Sequence, residues 1–367
     1  MHHVLNRSLI AVGGRIEGAR PLTPACGAAV YRLQLNRHSG HMIDDQSLPI
    51  PSRESAESWQ IALRPVKEIA SEAIVDIDHA VRRLRQWGIK IPEGGRLAQA
   101  RAVLDHAART GAIVPVQRGD DLGLRALEFA FDYAAIAETL PPKKAAAVRR
   151  ELENSLTGDL DPPEESRGPL QLQSQFVVRA ALVRAGLSPE HPIHAARLGI
   201  KNPDFVLQNG LSEYGVEVKR PKTTAGILPR FEDGRAQLQG YGLAGAVLID
   251  VTDCVRGVPS AQIDAEVRRL ALLLYDRTFV SGRGYHPGSD CIRVAGTFAR
   301  VGWHSDDGPG NAMVNVHTSS TLGVFATAKG TLLDHRGKWL RKSFEDGLGR
   351  LYQTLAETSH QRGPDMG

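Results

Sequence analysis

Asn202-Pro203-Asp204-Phe205-Val206-Leu207-Gln208-Asn209-Gly210, followed by Tyr214-Gly215-Val216-Glu217-Val218-Lys219-Arg220-Pro221, is the stretch on which the fold turns. Two β-rich runs flank Asn209-Gly210, a dipeptide suited to a tight hairpin turn. On a strand, side chains two positions apart leave the same face. Glu217 and Lys219 therefore point together, while Val216 and Val218 point to the opposite face and a core. Hairpin pairing brings Asp204 across toward Glu217. Two carboxylates and one ammonium are then expected at one edge of a sheet.

That set of groups suits a hard cation. Mg²⁺ prefers oxygen ligands, keeps several waters, and is held by one or two carboxylates plus substrate phosphate. Such an ion polarises a phosphoryl oxygen and acidifies a bound water. A lysine beside it can position that water or meet charge developing on phosphate.

The order Pro203-Asp204, then Glu217-Val218-Lys219 at the end of the next strand, resembles the PD-(D/E)XK motif of the restriction-endonuclease-like nuclease superfamily. Downstream, Gln237-Leu238-Gln239-Gly240-Tyr241 reads Q-x-x-x-Y and is similar to the element that follows the lysine in RecB-type members. Gln237 and Tyr241 are i and i+4, so a helix places them on one face. The resemblance covers roughly residues 170 to 330. It implies an α/β fold, a mixed sheet flanked by helices, and hydrolysis of nucleic-acid phosphodiester bonds, with DNA the foremost substrate. It further implies Mg²⁺ (or Mn²⁺) held by Asp204, Glu217 and the carbonyl of Val218. Lys219 would serve the attacking water, and Gln237 and Tyr241 would support the site and the bound strand. Arg220 and Lys222 extend the positive field and are the candidate phosphate contacts. A non-catalytic nucleic-acid-binding module on the same fold, or a protein-interaction component, are the alternatives.

The chain departs from the superfamily pattern in two places. The helix expected over Leu170 to Leu187 offers Gln171, Gln173 and Gln175 where an acidic residue often stands, with Glu164 and Glu165 just upstream. Only three cysteines, Cys26, Cys254 and Cys291, are present and far apart, which excludes a four-cysteine iron–sulfur cluster, a disulfide framework and a zinc spacing.

Around this stretch the elements follow in an order that suits the resemblance. Glu232 to Leu243 is expected as the helix carrying Gln237 and Tyr241. Ala244 to Val251 is a near-continuous apolar run, the pattern of a buried central strand. An amphipathic helix over Ser260 to Phe279 follows. Ile292 to Trp303 and Met313 to Thr318 alternate like a strand pair. Leu322 to Ala326 reads as a further edge strand, and Lys338 to Glu357 as a closing helix.

Upstream, the chain reads as mainly helical. Helical spacing covers Pro65 to Trp87, Gly95 to Thr110, Asp120 to Leu140 and Pro141 to Leu156, and a short strand is expected over Ala28 to Leu35. Arg82, Arg83 and Arg85 suit a helix C-terminus, while Lys143, Lys144, Arg149 and Arg150 make a basic face. The acidic, Pro-rich run from 158 to 169 reads as a linker. The expected domains are therefore 1–157, a mainly helical accessory domain that could carry a homodimer or protein contact, and 170–367, the nuclease-like part.

A net charge of +4 permits a polyanionic partner without demanding one. No run approaches the ~20 apolar residues of a membrane span. The charged N-terminus is a poor secretory signal, and the reducing cytoplasm is the expected compartment. No G-x-x-x-x-G-K-[ST] loop marks an NTPase.

Overall fold

The hairpin forms where the sequence places it. In a computed structural model, β3 (Phe205–Asn209) pairs antiparallel with β4 (Ser212–Lys219), Phe205 opposite Val216 and Asn209 opposite Ser212. Gly210 takes up the turn with φ of 62°, a left-handed backbone that glycine adopts without strain. The structure describes residues 58–60, 64–112, 122–163, 166–191, 202–210, 212–280, 291–305, 313–324 and 337–349. The strand expected over Ala28 to Leu35, and Glu164 and Glu165, lie outside them.

Helix α7 (Ile227–Tyr241) leads from β4 to β5 (Gly245–Asp250), which lies parallel to β4 with Glu217 opposite Val247. Helix α8 (Ile263–Val280) leads in turn to β6 (Ile292–Ser305), parallel to β5. β6 then pairs antiparallel with β7 (Met313–Val324). Two short N-terminal strands, β1 (Ser58–Gln60) and β2 (Arg64–Pro65), add antiparallel to β7. The result is a seven-stranded mixed sheet in the order β1-β7-β6-β5-β4-β3, with β2 also on β7. Leu322 to Val324, expected to open a further edge strand, instead finish β7, because β6 is long enough to keep pairing them up to Val324 opposite Val294; Phe325 and Ala326 lie outside the described residues.

Each face of the sheet is covered. On one side Phe205, Leu207, Val216, Val218, Ala246, Leu248, Val294 and Phe298 pack under helices α1 (Val66–Gln86), α2 (Arg96–Thr110), α3 (Leu122–Thr139) and α6 (Gly168–Arg184). On the other, Val247, Ile249, Ala295 and Ala299 pack against α7 and α8. Alternate residues of one strand thus feed two cores, which is why β5 reads as a continuous apolar run. The fourth upstream helix is two short ones, α4 (Pro142–Ala147) and α5 (Arg149–Ser155), broken at Val148, where φ is −113° and ψ 22°. Residues 337–349 form the last described helix, α9.

The expected division at 158–169 is not where the chain divides. One compact unit runs from Ile50 to Gly367. The physical reason is the core itself: α1, α2 and α3 bury Ile69, Leu104 and Phe129 in the cluster that also holds Val216 and Leu248. Those helices are one layer of the α/β fold rather than an accessory domain. No helix among the described residues is long and apolar enough to cross a membrane.

Candidate metal and phosphate site

The site grows from a mismatch in strand length. β3 begins only at Phe205, while β4 continues to Lys219, so the last peptide groups of β4 have no strand beside them on that edge. Buried backbone groups must find partners. Here side chains supply them. Asp204, at the foot of β3, accepts the Val218 N–H at 2.8 Å through Oδ2. Gln171 of α6 donates from Nε2 to the Val218 carbonyl, and its Oε1 accepts the Arg220 N–H at 2.8 Å. One amide thereby imitates the missing strand. One turn further along α6, Gln175 donates to Asp204 Oδ1 at 2.6 Å.

On the opposite face of β4, Lys219 Nζ donates to Glu217 Oε2 at 2.5 Å and to Gln237 Oε1 at 2.7 Å. Glu217 is fully buried and Lys219 is 8 % exposed. β4 is covered on both faces, so this couple is an interior ion pair rather than the half-solvated pair of an edge strand. Helix α7 comes this close because Gly234 has no side chain: a Cβ there would lie 2.9 Å from Val247 Cγ1 and 3.4 Å from Glu217 Cβ.

The structure therefore joins Glu217, Lys219 and Gln237 in one hydrogen-bonded set, with Asp204 beside it around Val218. Tyr241 ends α7, half-buried, and its hydroxyl makes no hydrogen bond to another described residue. Lys222 is exposed just past the strand. Arg220 is a correction. It is 5 % exposed, and its guanidinium is taken up by Glu128 Oε1 at 3.0 Å and Asp253 Oδ2 at 2.8 Å, so it is not available to a phosphate. Lys219 ends β4 and Arg220 follows it directly; their side chains leave in opposite directions, which sends the lysine to α7 and the arginine under α3 and α6.

Arg220 belongs to a buried ionic network. Arg256 Nη2 donates to Glu128 Oε2 at 2.7 Å, Arg300 reaches Asp132 at 2.9 Å and Asp250 at 2.7 Å, and Arg167 pairs with Asp253. Burial pushes the Glu128 carboxyl up, but the guanidiniums of Arg220, Arg256 and Arg300 outweigh it and hold the group down at about 2. Asp253, also opposed by burial, is held well below the carboxylate range by Arg220 and Arg256. The network pins the end of β4, and with it the position of Lys219. Its signal in the sequence was Glu128 and Asp132, i and i+4 within the apolar α3 run Leu127 to Ile136; acids on a helix buried all round need cations.

Among the described residues no group of three or more His, Cys, Asp or Glu is placed to hold a metal ion. The candidate donors around Val218 are hard oxygens: the Asp204 and Glu217 carboxylates and the Val218 carbonyl. That set suits Mg²⁺ or Mn²⁺ completed by water and a phosphate oxygen, and does not suit zinc. Its oxygens already draw positive partners, the Gln175 N–H at Asp204 and the Lys219 ammonium at Glu217. Each carboxylate oxygen has a second lone pair for a cation.

No protein-family model, curated protein or solved structure matches the chain.

Proposed function

We propose that this protein is a divalent-metal-dependent nuclease of the restriction-endonuclease-like kind, hydrolysing phosphodiester bonds of nucleic acid, DNA foremost. The observation that carries the reading is Lys219 Nζ, held between Glu217 and Gln237 beside Asp204. The order of hairpin, helix and parallel strand agrees with that superfamily's core, and Gln237 supports the RecB-type element by touching the lysine. Tyr241 enters the proposal only through its place on the same helix.

Asp204, Glu217 and the Val218 carbonyl would hold Mg²⁺ or Mn²⁺, which when bound lowers the pKa of a water and polarises phosphoryl oxygen. The chain's own groups set the rest. An ammonium has three N–H donors. Two of Lys219's are committed to Glu217 and Gln237, which fixes the direction of the third. That third donor is the one to orient a water for attack or to meet charge on a phosphate oxygen. Gln171 and Gln175 keep Val218 and Asp204 in register, so the carboxylate is preorganised. Lys222, exposed after the strand, would meet the nucleic-acid backbone.

The test is strand cleavage on a panel of labelled single- and double-stranded DNA and RNA, with Mg²⁺ or Mn²⁺ and with EDTA. Cleavage that needs the metal and disappears in Asp204→Asn and Glu217→Gln supports the assignment. Metal-independent cleavage, or full activity in both variants, overturns it. One observation favours a second reading, a non-catalytic nucleic-acid-binding module. Gln171 and Gln175 already occupy the Val218 carbonyl and Asp204, and α6 supplies no carboxylate of its own there. Calorimetry separates the two, since a non-catalytic module should take up no divalent ion at this site.

A further inference from the structure

Buried arginines in this protein have protein partners, with one exception among the described residues. Arg96 donates to the Ser155 carbonyl at 2.9 Å and to Gln173 at 2.6 Å; Arg220 and Arg300 sit in the ionic network. Arg179, on α6, is 3 % exposed and has neither a hydrogen bond nor an ion pair with any described residue. Its Nε is sealed with no acceptor. Close by is half-buried His191, whose Nε2 is likewise sealed without a partner and whose ring meets Phe205 edge-on at 5.2 Å. Between His191 and Asn202 the sequence contains no Asp or Glu that could serve as counter-ion. A guanidinium buried without a counter-ion is strongly disfavoured, an arrangement that makes sense if an anion completes the site. Burial draws the Arg179 guanidinium down to about 10, and burial together with the Arg179 charge draws His191 down to about 4.

Position says which anion. Gln171, Gln175 and Arg179 are spaced i, i+4, i+8 on α6 and so share one face. The first two reach Val218 and Asp204, and the third lies about 6 Å further along the axis. We propose that Arg179 and His191 form a phosphate-binding site next to the candidate metal site, and that on a nucleic-acid substrate it takes a backbone phosphate beside the one at Asp204 and Glu217. Only the second half of this rests on the nuclease reading. The planar guanidinium fork suits a phosphate's paired oxygens.

The test uses the full chain in EDTA, so that no metal contributes. Thermal unfolding is followed against inorganic phosphate and, separately, against a short oligothymidylate, with chloride at matched ionic strength as control. Wild type should be stabilised progressively by phosphate beyond chloride. Arg179→Met should weaken apparent phosphate affinity by about ten- to a hundredfold. Should Arg179→Met fail to fold, Arg179→Lys carries the test: it keeps the charge, loses the fork, and should weaken the response. Because the readout is anion binding in EDTA and not strand cleavage, loss of the nuclease reading and loss of this site remain separate results. A response to oligothymidylate as well as phosphate assigns the site to the strand; a response to phosphate alone assigns it to the free anion and overturns the second half. Wild type indifferent to phosphate, or arginine variants that respond as wild type does, overturns the proposal.

Discussion

Replacing Glu128 by glutamine removes one charge from the buried network and little else, because the two side chains have nearly the same shape. Glu128 sits 7 % exposed between Arg220 and Arg256. Its carboxyl titrates at about 2 when folded against an ordinary value of 4.5. Linkage converts that difference to about 3 kcal/mol of folding stability at neutral pH. Removal of one partner from a buried pair independently suggests roughly 3–5 kcal/mol. The sign follows from the direction: a depressed carboxyl stabilises above its unfolded value and loses that contribution as pH falls toward its folded one. Urea unfolding followed by circular dichroism should therefore find Glu128→Gln less stable than wild type by about 3 kcal/mol at pH 7. The gap should narrow steadily below about pH 4.5. A variant within about 0.5 kcal/mol of wild type at pH 7, the range of an ordinary surface change, would refute the reasoning. So would a gap that stays constant as the solution is acidified.

Other outcomes follow from the same geometry. Gly234→Ala puts a methyl 2.9 Å from Val247 Cγ1 on a fixed central strand; it should cost about 1–3 kcal/mol in thermal unfolding and lower any cleavage rate by displacing Gln237 from Lys219. Lys222→Ala should weaken nucleic-acid binding and reduce the salt slope by about 1, measured by fluorescence anisotropy at several salt concentrations. Arg220→Gln should instead lower stability while leaving the salt slope as it was, since its guanidinium faces Glu128 and Asp253 rather than solvent.

What the sequence disclosed was local. Asn209-Gly210 marked the hairpin, and the Glu-x-Lys spacing put Glu217 and Lys219 on one face whatever the tertiary context. The helical period of 237 and 241 carried Gln237 to that face as well. What stayed hidden depended on distant partners. The fate of Arg220 was set by Glu128, 92 residues upstream, and by Asp253, 33 downstream, and no local pattern announces such a meeting. The Pro-rich run at 158–169 looked like a linker by composition, yet Leu160 and Pro162 within it are buried. Asp161 pairs with Arg125 at 2.8 Å. Gln171 and Gln175 were visible as residues that are not carboxylates; their work as substitute strand and as Asp204's anchor appears only once β3 is seen to stop short.

The most direct measurement is single-turnover cleavage of labelled DNA in Mg²⁺ by wild type and by Lys219→Met, with circular dichroism to show that the variant is folded. Wild type should cut, and the variant should bind the strand but cut at least about a hundredfold more slowly, the scale of a lost positioned proton-transfer or charge-stabilising group. A folded Lys219→Met enzyme that cuts as fast as wild type would contradict the assignment of this lysine, and with it the account of the site.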